Sequence, residues 1–212
     1  MKKKILPIPL ILLIPIVMLV VVVIAGIYRF SLTDEEILAK FPSTQVEYDS
    51  VVSAVFDLKA TNPWTIKVPE SNAYAFIDEL DVERQIASGR YDSGVERGEL
   101  GVDVSQLQKV TLNQQRLFVA PMWQSNQGSG VFYYLALFKF DQQRSRVILV
   151  DQLLLGDRIN LQSLDLIEAD SQKEAQGMVS FTQHSREQSF SEEPSEKVLL
   201  SFQFNTQSID QQ

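Results

Sequence analysis

Residues able to do chemistry are few and scattered in this chain. His184 is the only histidine and sits beside Ser185, Arg186 and Glu187. An imidazole can act as a general base, but a zinc site needs further nitrogen or sulfur ligands, and the chain has no cysteine. Its position at a strand end reads as an exposed loop. Gly156-Asp157-Arg158 could present a guanidinium fork to a carboxylate. It reads first as a tight turn, with glycine at positive φ and Asp157 bonding local backbone or Arg158. Gly128-Ser129-Gly130 lacks the Gly-Lys-Ser/Thr ending and the following helix of a phosphate loop, which leaves a hairpin tip. Serine chemistry has no local support, since neither a Gly-x-Ser-x-Gly elbow nor a Ser-x-x-Lys pair occurs. With 27 acidic residues, a carboxylate pair for glycoside hydrolysis stays open, because spatial approach is invisible in a sequence. Trp64 and Trp123, each close to a proline and a strand end, could be platforms for a sugar or a partner, with core packing as the default. No residue is assigned a catalytic, cofactor-binding or metal-binding role.

The elements that must position these residues begin with a greasy leader. Ile5 to Tyr28 carries no charged side chain and follows Lys2, Lys3 and Lys4. About 20 apolar residues at 1.5 Å each cross a ~30 Å hydrocarbon core, so 5–28 is expected to be a transmembrane signal-anchor helix. Pro7 and Pro9 fall in the first turns and cost little, whereas Pro15 should kink it. The lysines mark 1–4 as a cytoplasmic stub and Tyr28-Arg29 as the far interface. The remainder would then be exported, in a two-membrane bacterium to the periplasm, with the chain single-pass in the inner membrane. A cleaved signal peptide, cut at Val23-Ile24-Ala25 before Gly26, competes, although the apolar run exceeds the about 7–15 residues of a signal core. A buried soluble helix is the third possibility.

Once Lys2, Lys3 and Lys4 are set aside, 16 basic residues face 27 acidic ones, a net charge of −11 for the exported part. Such a surface repels phosphate backbones, and no later Lys or Arg run offsets it, so nucleic acid is not an expected partner. The missing cysteine removes disulfides, thiolate nucleophiles, iron–sulfur clusters and a lipobox. No cofactor is expected.

Residues 29–44 read as a juxtamembrane helix and linker. Thr33 and Glu36 form a capping box, and Pro42 stops a helix over Ser31–Phe41. A mainly β (α+β) domain follows over 45–206, with a possible smaller subdomain at 45–108 and a tail at 207–212. Val51, Val52, Val55, Phe56 and Leu58 fit strand or helix; Trp64–Val68 alternates between Pro63 and Pro69 and reads as a strand. Over 72–89, Ala73, Phe76, Ile77, Leu80 and Ile86 would line a helix face. The alternative is two strands, Ala73–Ile77 and Val82–Ile86, with a turn at Ser88-Gly89; propensity slightly favours the helix. Tyr91–Leu100, with its glycines, reads as loop. Six strands are expected after it: Gln115–Met122, Val131–Phe140, Val147–Leu155, Ile159–Leu166, Met178–Gln183 and Val198–Phe204. Short turns between them imply an antiparallel meander. The strand at Val131–Phe140 is apolar on both faces and should be central, covered on both sides.

Gly128-Ser129-Gly130-Val131-Phe132-Tyr133-Tyr134-Leu135-Ala136, followed by Leu155-Gly156-Asp157-Arg158-Ile159, resembles a group of uncharacterised bacterial envelope proteins, many of them lipoproteins. The likeness covers about 112–204, and Asn72-Ala73-Tyr74 with Gly89-Arg90-Tyr91 echoes an earlier part of the pattern, which tilts that region toward strands. The chain departs from the group where Leu117-Phe118-Val119-Ala120 replaces an Asp- and Gly-rich stretch, so cation binding does not carry over. The resemblance implies an exported β-rich domain and no particular activity. The expected function is a membrane-anchored, non-enzymatic binding or scaffold module. It would contact the bilayer through 5–28 and another envelope protein through a sheet edge or an aromatic patch. A glycan-acting hydrolase using an Asp/Glu pair, or a carrier or sensor of a small apolar ligand, are the alternatives.

Overall fold

The computed structural model describes residues 10–31, 47–167 and 173–212, with side chains over 13–27 in the first stretch. Two units emerge, Met1–Glu47 and Tyr48–Gln212. In the first, helix α1 spans Leu10–Ser31 and includes Pro15. Its described side chains turn apolar groups outward, with Ile14, Met18, Leu19 and Val22 each 63–66% exposed. Among the described residues no helix is long and apolar enough to cross a membrane, α1 being fully described only over 13–27. Of the helix expected over 31–41, Ser31 is the last residue of α1 and 32–41 lie outside the described residues.

The second unit is mainly antiparallel β. It opens with α2, Ser50–Phe56, which resolves the ambiguous apolar cluster in favour of helix. Asp49 explains why a helix starts there. Its Oδ1 accepts from the Val52 amide at 2.8 Å as an N-cap, and its Oδ2 accepts from the Trp64 amide at 3.0 Å. One carboxylate thus fixes both the helix and the entry to the first strand. β1 (Thr65–Lys67) pairs with β2 (Tyr74–Phe76) in a separate two-stranded ribbon.

A seven-stranded sheet carries the middle of the chain: β3 (Glu79–Asp81), β4 (Ile86–Asp92), β5 (Arg97–Asp103), β6 (Gln108–Leu112), β7 (Gln115–Asn126), β8 (Val131–Asp141) and β9 (Arg146–Asp157). Its order is β3-β4-β5-β7-β8-β9, with β6 also on β7. The long β7 is shared: Met122–Asn126 pairs with β5 and Gln115–Val119 with β6. Pro121, which has no amide proton to give, lies at the changeover. The last four strands, β10 (Asn160–Ile167), β11 (Ala175–Gln183), β12 (Glu196–Phe204) and β13 (Ile209–Gln211), form a four-stranded sheet in sequence order. Residues 207–212 are therefore not a tail: Phe204 pairs with Ile209 and Phe202 with Gln211, and Ile209 is buried. Residues 45–108 do not separate as a subdomain, because β5 is hydrogen-bonded into the same sheet as β7.

Two cores lie on opposite faces of the seven-stranded sheet. On one, α2 and the β1–β2 ribbon cover Leu100, Val102, Phe118, Met122, Tyr134, Ala136 and Phe138. On the other, the four-stranded sheet covers Leu117, Val119, Leu135 and Leu137. β8 belongs to both, central and covered on each side as its composition requires.

The helix favoured over 72–89 does not form. β2, β3 and the start of β4 occupy that stretch, with the turn at 82–85, and Gly89 sits inside β4. Nor is Tyr91–Leu100 a loop: β4 and β5 are joined by a turn where Ser93 bonds Glu96 and Gly94 takes φ +82°. Gly98 and Gly101 lie in β5. A Cβ on Gly98 would stand 2.0 Å from the Ser125 carbonyl, and one on Gly101 2.4 Å from the Trp123 ring, so these glycines serve close approach.

Candidate binding site

Three of the motifs singled out in the sequence come together. Gly156 takes φ +153°, and Arg158 the left-handed φ of 50°, at the end of β9. Asp157 Oδ1 accepts from the Val131 amide at 2.9 Å, at the foot of the Gly128–Gly130 tip. Arg158 donates to the same carboxylate from Nε at 3.1 Å and Nη2 at 2.7 Å, while its amide donates to the Val131 carbonyl at 2.7 Å. The other side of that guanidinium is stacked 3.9 Å from the Phe190 ring centroid, and Phe190 lies 5.0 Å from the His184 ring. His184 Nε2 is 2.9 Å from the Glu192 carbonyl oxygen, and its Nδ1 is buried without a partner. His184 is thus half-buried, against the exposed position expected of it.

This chain of contacts is a clasp. Arg158 already spends Nε and Nη2 on Asp157, the paired donors with which a guanidinium would grip a ligand carboxylate. The clasp pins the β11–β12 connection to the β8–β9 end of the larger sheet. Burial raises the Asp157 carboxyl, but the hydrogen bonds from Arg158 and the Val131 amide, with the charges of Arg158 and His184, outweigh it and hold the pKa below the usual 3.8. A general acid needs the opposite displacement. Because the folded value is depressed, this carboxylate contributes stability above its unfolded pKa that is lost as pH falls through the folded one. Urea midpoints are therefore expected to drop more steeply for the parent than for Asp157→Asn between about pH 5 and pH 3. Parallel slopes would show that the clasp adds nothing.

Strand edges are the second place to look for binding. β9, at one edge of the larger sheet, is interrupted opposite Tyr133/Tyr134 and Leu137/Phe138, where Leu155 and Val150 bulge. Asp151 Oδ2 on it accepts from the Ile209 amide at 3.0 Å. On β10, Gln106 and Gln108 act as surrogate backbone. Leu164 N donates to Gln106 Oε1 at 2.9 Å, and Gln108 Nε2 donates to Leu164 O at 3.2 Å. Bulges and side-chain caps of this kind blunt an edge against a further strand. Gln106→Ala with Gln108→Ala should leave the Leu164 amide and carbonyl unpaired, lowering stability by about 1–2 kcal/mol in a urea titration.

The third place is an aromatic cleft. Trp64 is fully buried, edge-on to Phe56 at 4.8 Å and Phe138 at 5.6 Å, and is a core residue. Trp123 is only half-buried. It pairs directly with Tyr133 across β7–β8 and with Gly101 across β5–β7, its ring resting where a Gly101 side chain would be. That glycine is what lets the indole lie down on the sheet. Arg84, Ile86, Asp103, Asn160 and Leu161 complete a half-open cleft of about 300 Å³. Burial, with the nearby Asp103 charge, pushes the Tyr133 phenol up. Sequence reading found Trp123 and missed Tyr133, Asp103, Arg84 and Asn160. No group of three or more His, Asp or Glu residues placed to hold a metal occurs among the described residues.

The chain matches no family model, no curated protein and no solved structure.

Proposed function

We propose that the protein is a membrane-anchored envelope protein whose β domain is a binding module. The observation carrying the anchor is α1, apolar all round over the described side chains 13–27, whose outward-facing Ile, Leu, Met and Val need a lipid environment to be hidden from water. At 1.5 Å per residue its 22 residues measure about 33 Å, and the run from Ile5 to Tyr28 that overlaps it has Lys2, Lys3 and Lys4 at one end. The lysines support a reading with the acidic domain on the far side, periplasmic in a two-membrane cell, as does the resemblance of the Gly-Ser-Gly and Leu-Gly-Asp-Arg segments to envelope proteins. Support for binding comes from the Trp123–Tyr133 cleft, which leaves aromatic surface and polar groups uncommitted while both flanking edges, β9 and β10, are blunted. Contact with a ligand or a further envelope protein then runs through this aromatic surface rather than through β9 or β10.

The full-length protein is expected to stay in the membrane pellet after alkaline carbonate extraction, and a phosphatase fused to its carboxyl end to be active outside the cytosol. A fusion active only in the cytosol, or an unprocessed protein in the soluble fraction, would overturn the anchor.

A further inference from the structure

We infer that the Trp123–Tyr133 cleft takes a neutral sugar ring of a glycan. The inference rests on the binding-module reading and names its ligand. A pyranose has one face of C–H groups and a girdle of hydroxyls, so its site needs an aromatic floor and a rim of groups that both donate and accept. Trp123, its ring lying over Gly101, supplies the floor, and Tyr133, its direct cross-strand neighbour with a Cβ about 4.5–5.5 Å away, stands beside it. The rim is uncommitted. Among the described residues the Trp123 indole N–H, the Tyr133 hydroxyl and the Asn160 side-chain amide have no hydrogen-bond partner. Asp103 engages Ser105 through Oδ1 alone, at 2.9 Å to its amide and 2.5 Å to its hydroxyl, which leaves Oδ2 open.

Charge and size select among ligands. Arg84, which lines the cleft, is already paired with Asp81 at 3.7 Å, and Asp103 lines it too, so nothing there favours an anion. A quaternary ammonium, the other ligand that favours aromatic floors, offers no acceptor to the Trp123 N–H or the Asn160 amide. An apolar ligand would strand four polar groups without partners. The volume of about 300 Å³ is at the small end of ligand sites, room for a ring of a longer glycan lying across the surface.

The two tryptophans supply a built-in control, because Trp64 is fully buried in the opposite core. With the full-length protein ¹⁵N-labelled in detergent micelles, maltotriose or chitotriose at up to about 10 mM, enough to fill a site of millimolar Kd, should move the Trp123 indole signal and leave that of Trp64 in place. Asn160→Ala and Tyr133→Phe, which keep the floor and remove rim groups, should each weaken the titration by about tenfold. Two unmoved indole signals with both trisaccharides, or a Trp123 signal moved by choline chloride instead, would overturn the inference. A protein that fractionates with membranes while neither indole moves would overturn the sugar assignment alone and leave the anchor standing.

Discussion

Replacing Phe138 with alanine is expected to cost about 3–5 kcal/mol, a large share of the roughly 5–15 kcal/mol that holds an ordinary domain folded. Phe138 is fully buried on β8, and its ring meets Trp64 at 5.6 Å and Phe56 at 6.2 Å in near-perpendicular geometry. Phe56 in turn meets Phe118 at 4.8 Å. The four rings join three pieces of chain far apart in sequence: α2, the entry to β1, and the β7–β8 hairpin. Truncation removes the ring that touches both Phe56 and Trp64, and a close-packed interior collapses only partly into the space. The comparison that isolates this effect is Phe132→Ala, six residues earlier on the same strand and 38% exposed, for which less than about 1 kcal/mol is expected. Equal urea midpoints for the two variants would show that the α2 core does not hold the domain together.

The strands of the carboxyl-terminal half were legible because their turns are local. The Gly128-centred tip even encodes register: five residues back is Trp123 and five forward is Tyr133, the aromatic pair of the cleft. Counting outward from the glycine would have found it. What could not be read is everything that crosses from one hairpin to another. Gly101 lies opposite Trp123 only because β5 pairs with β7 and not with β6, a choice set by packing in three dimensions. Asp103 and Arg84 reach the cleft through that pairing, and Asn160 through the turn after the clasp. The clasp was half legible: Asp157 and Arg158 are sequence neighbours and form the expected turn, but Phe190 and His184 join it from a connection 32 and 26 residues further on in the chain. A lone histidine beside charged neighbours reads as exposed because spacing cannot reveal an aromatic ring that folds back over it.

The mistaken helix at 72–89 has a specific cause, and it sets the last large effect. Along β2 the buried residues are Ala73, Ala75 and Ile77, whereas the aromatic Tyr74 and Phe76 are 56% and 55% exposed. Large apolar residues outside and alanines inside invert the usual strand pattern, so a helix period scores well. The inner positions are small because the β1–β2 ribbon lies almost in backbone contact with β4. A Cβ built on Gly89 would stand 1.8 Å from the Phe76 carbonyl oxygen, 2.5 Å from its carbon and 3.0 Å from Ile77 Cα. All three are main-chain atoms, so no side chain can swing aside. Gly89→Ala must lift the ribbon, straining the Ile77 amide bond to the Trp64 carbonyl at 2.9 Å and that of the Asp78 amide to Ser88 at 3.2 Å. It should also loosen the packing of Ala75 and Ile77. Overpacking costs about 1–3 kcal/mol where side chains can yield; here about 3 kcal/mol or more is expected. Gly94→Ala is the matching control. It has open space around its Cβ and a φ of +82°, so it bears only a backbone penalty of about 1 kcal/mol. If urea unfolding placed Gly89→Ala at or above Gly94→Ala, the ribbon would have room that this packing denies it, and the alanine-lined inner face would need another cause.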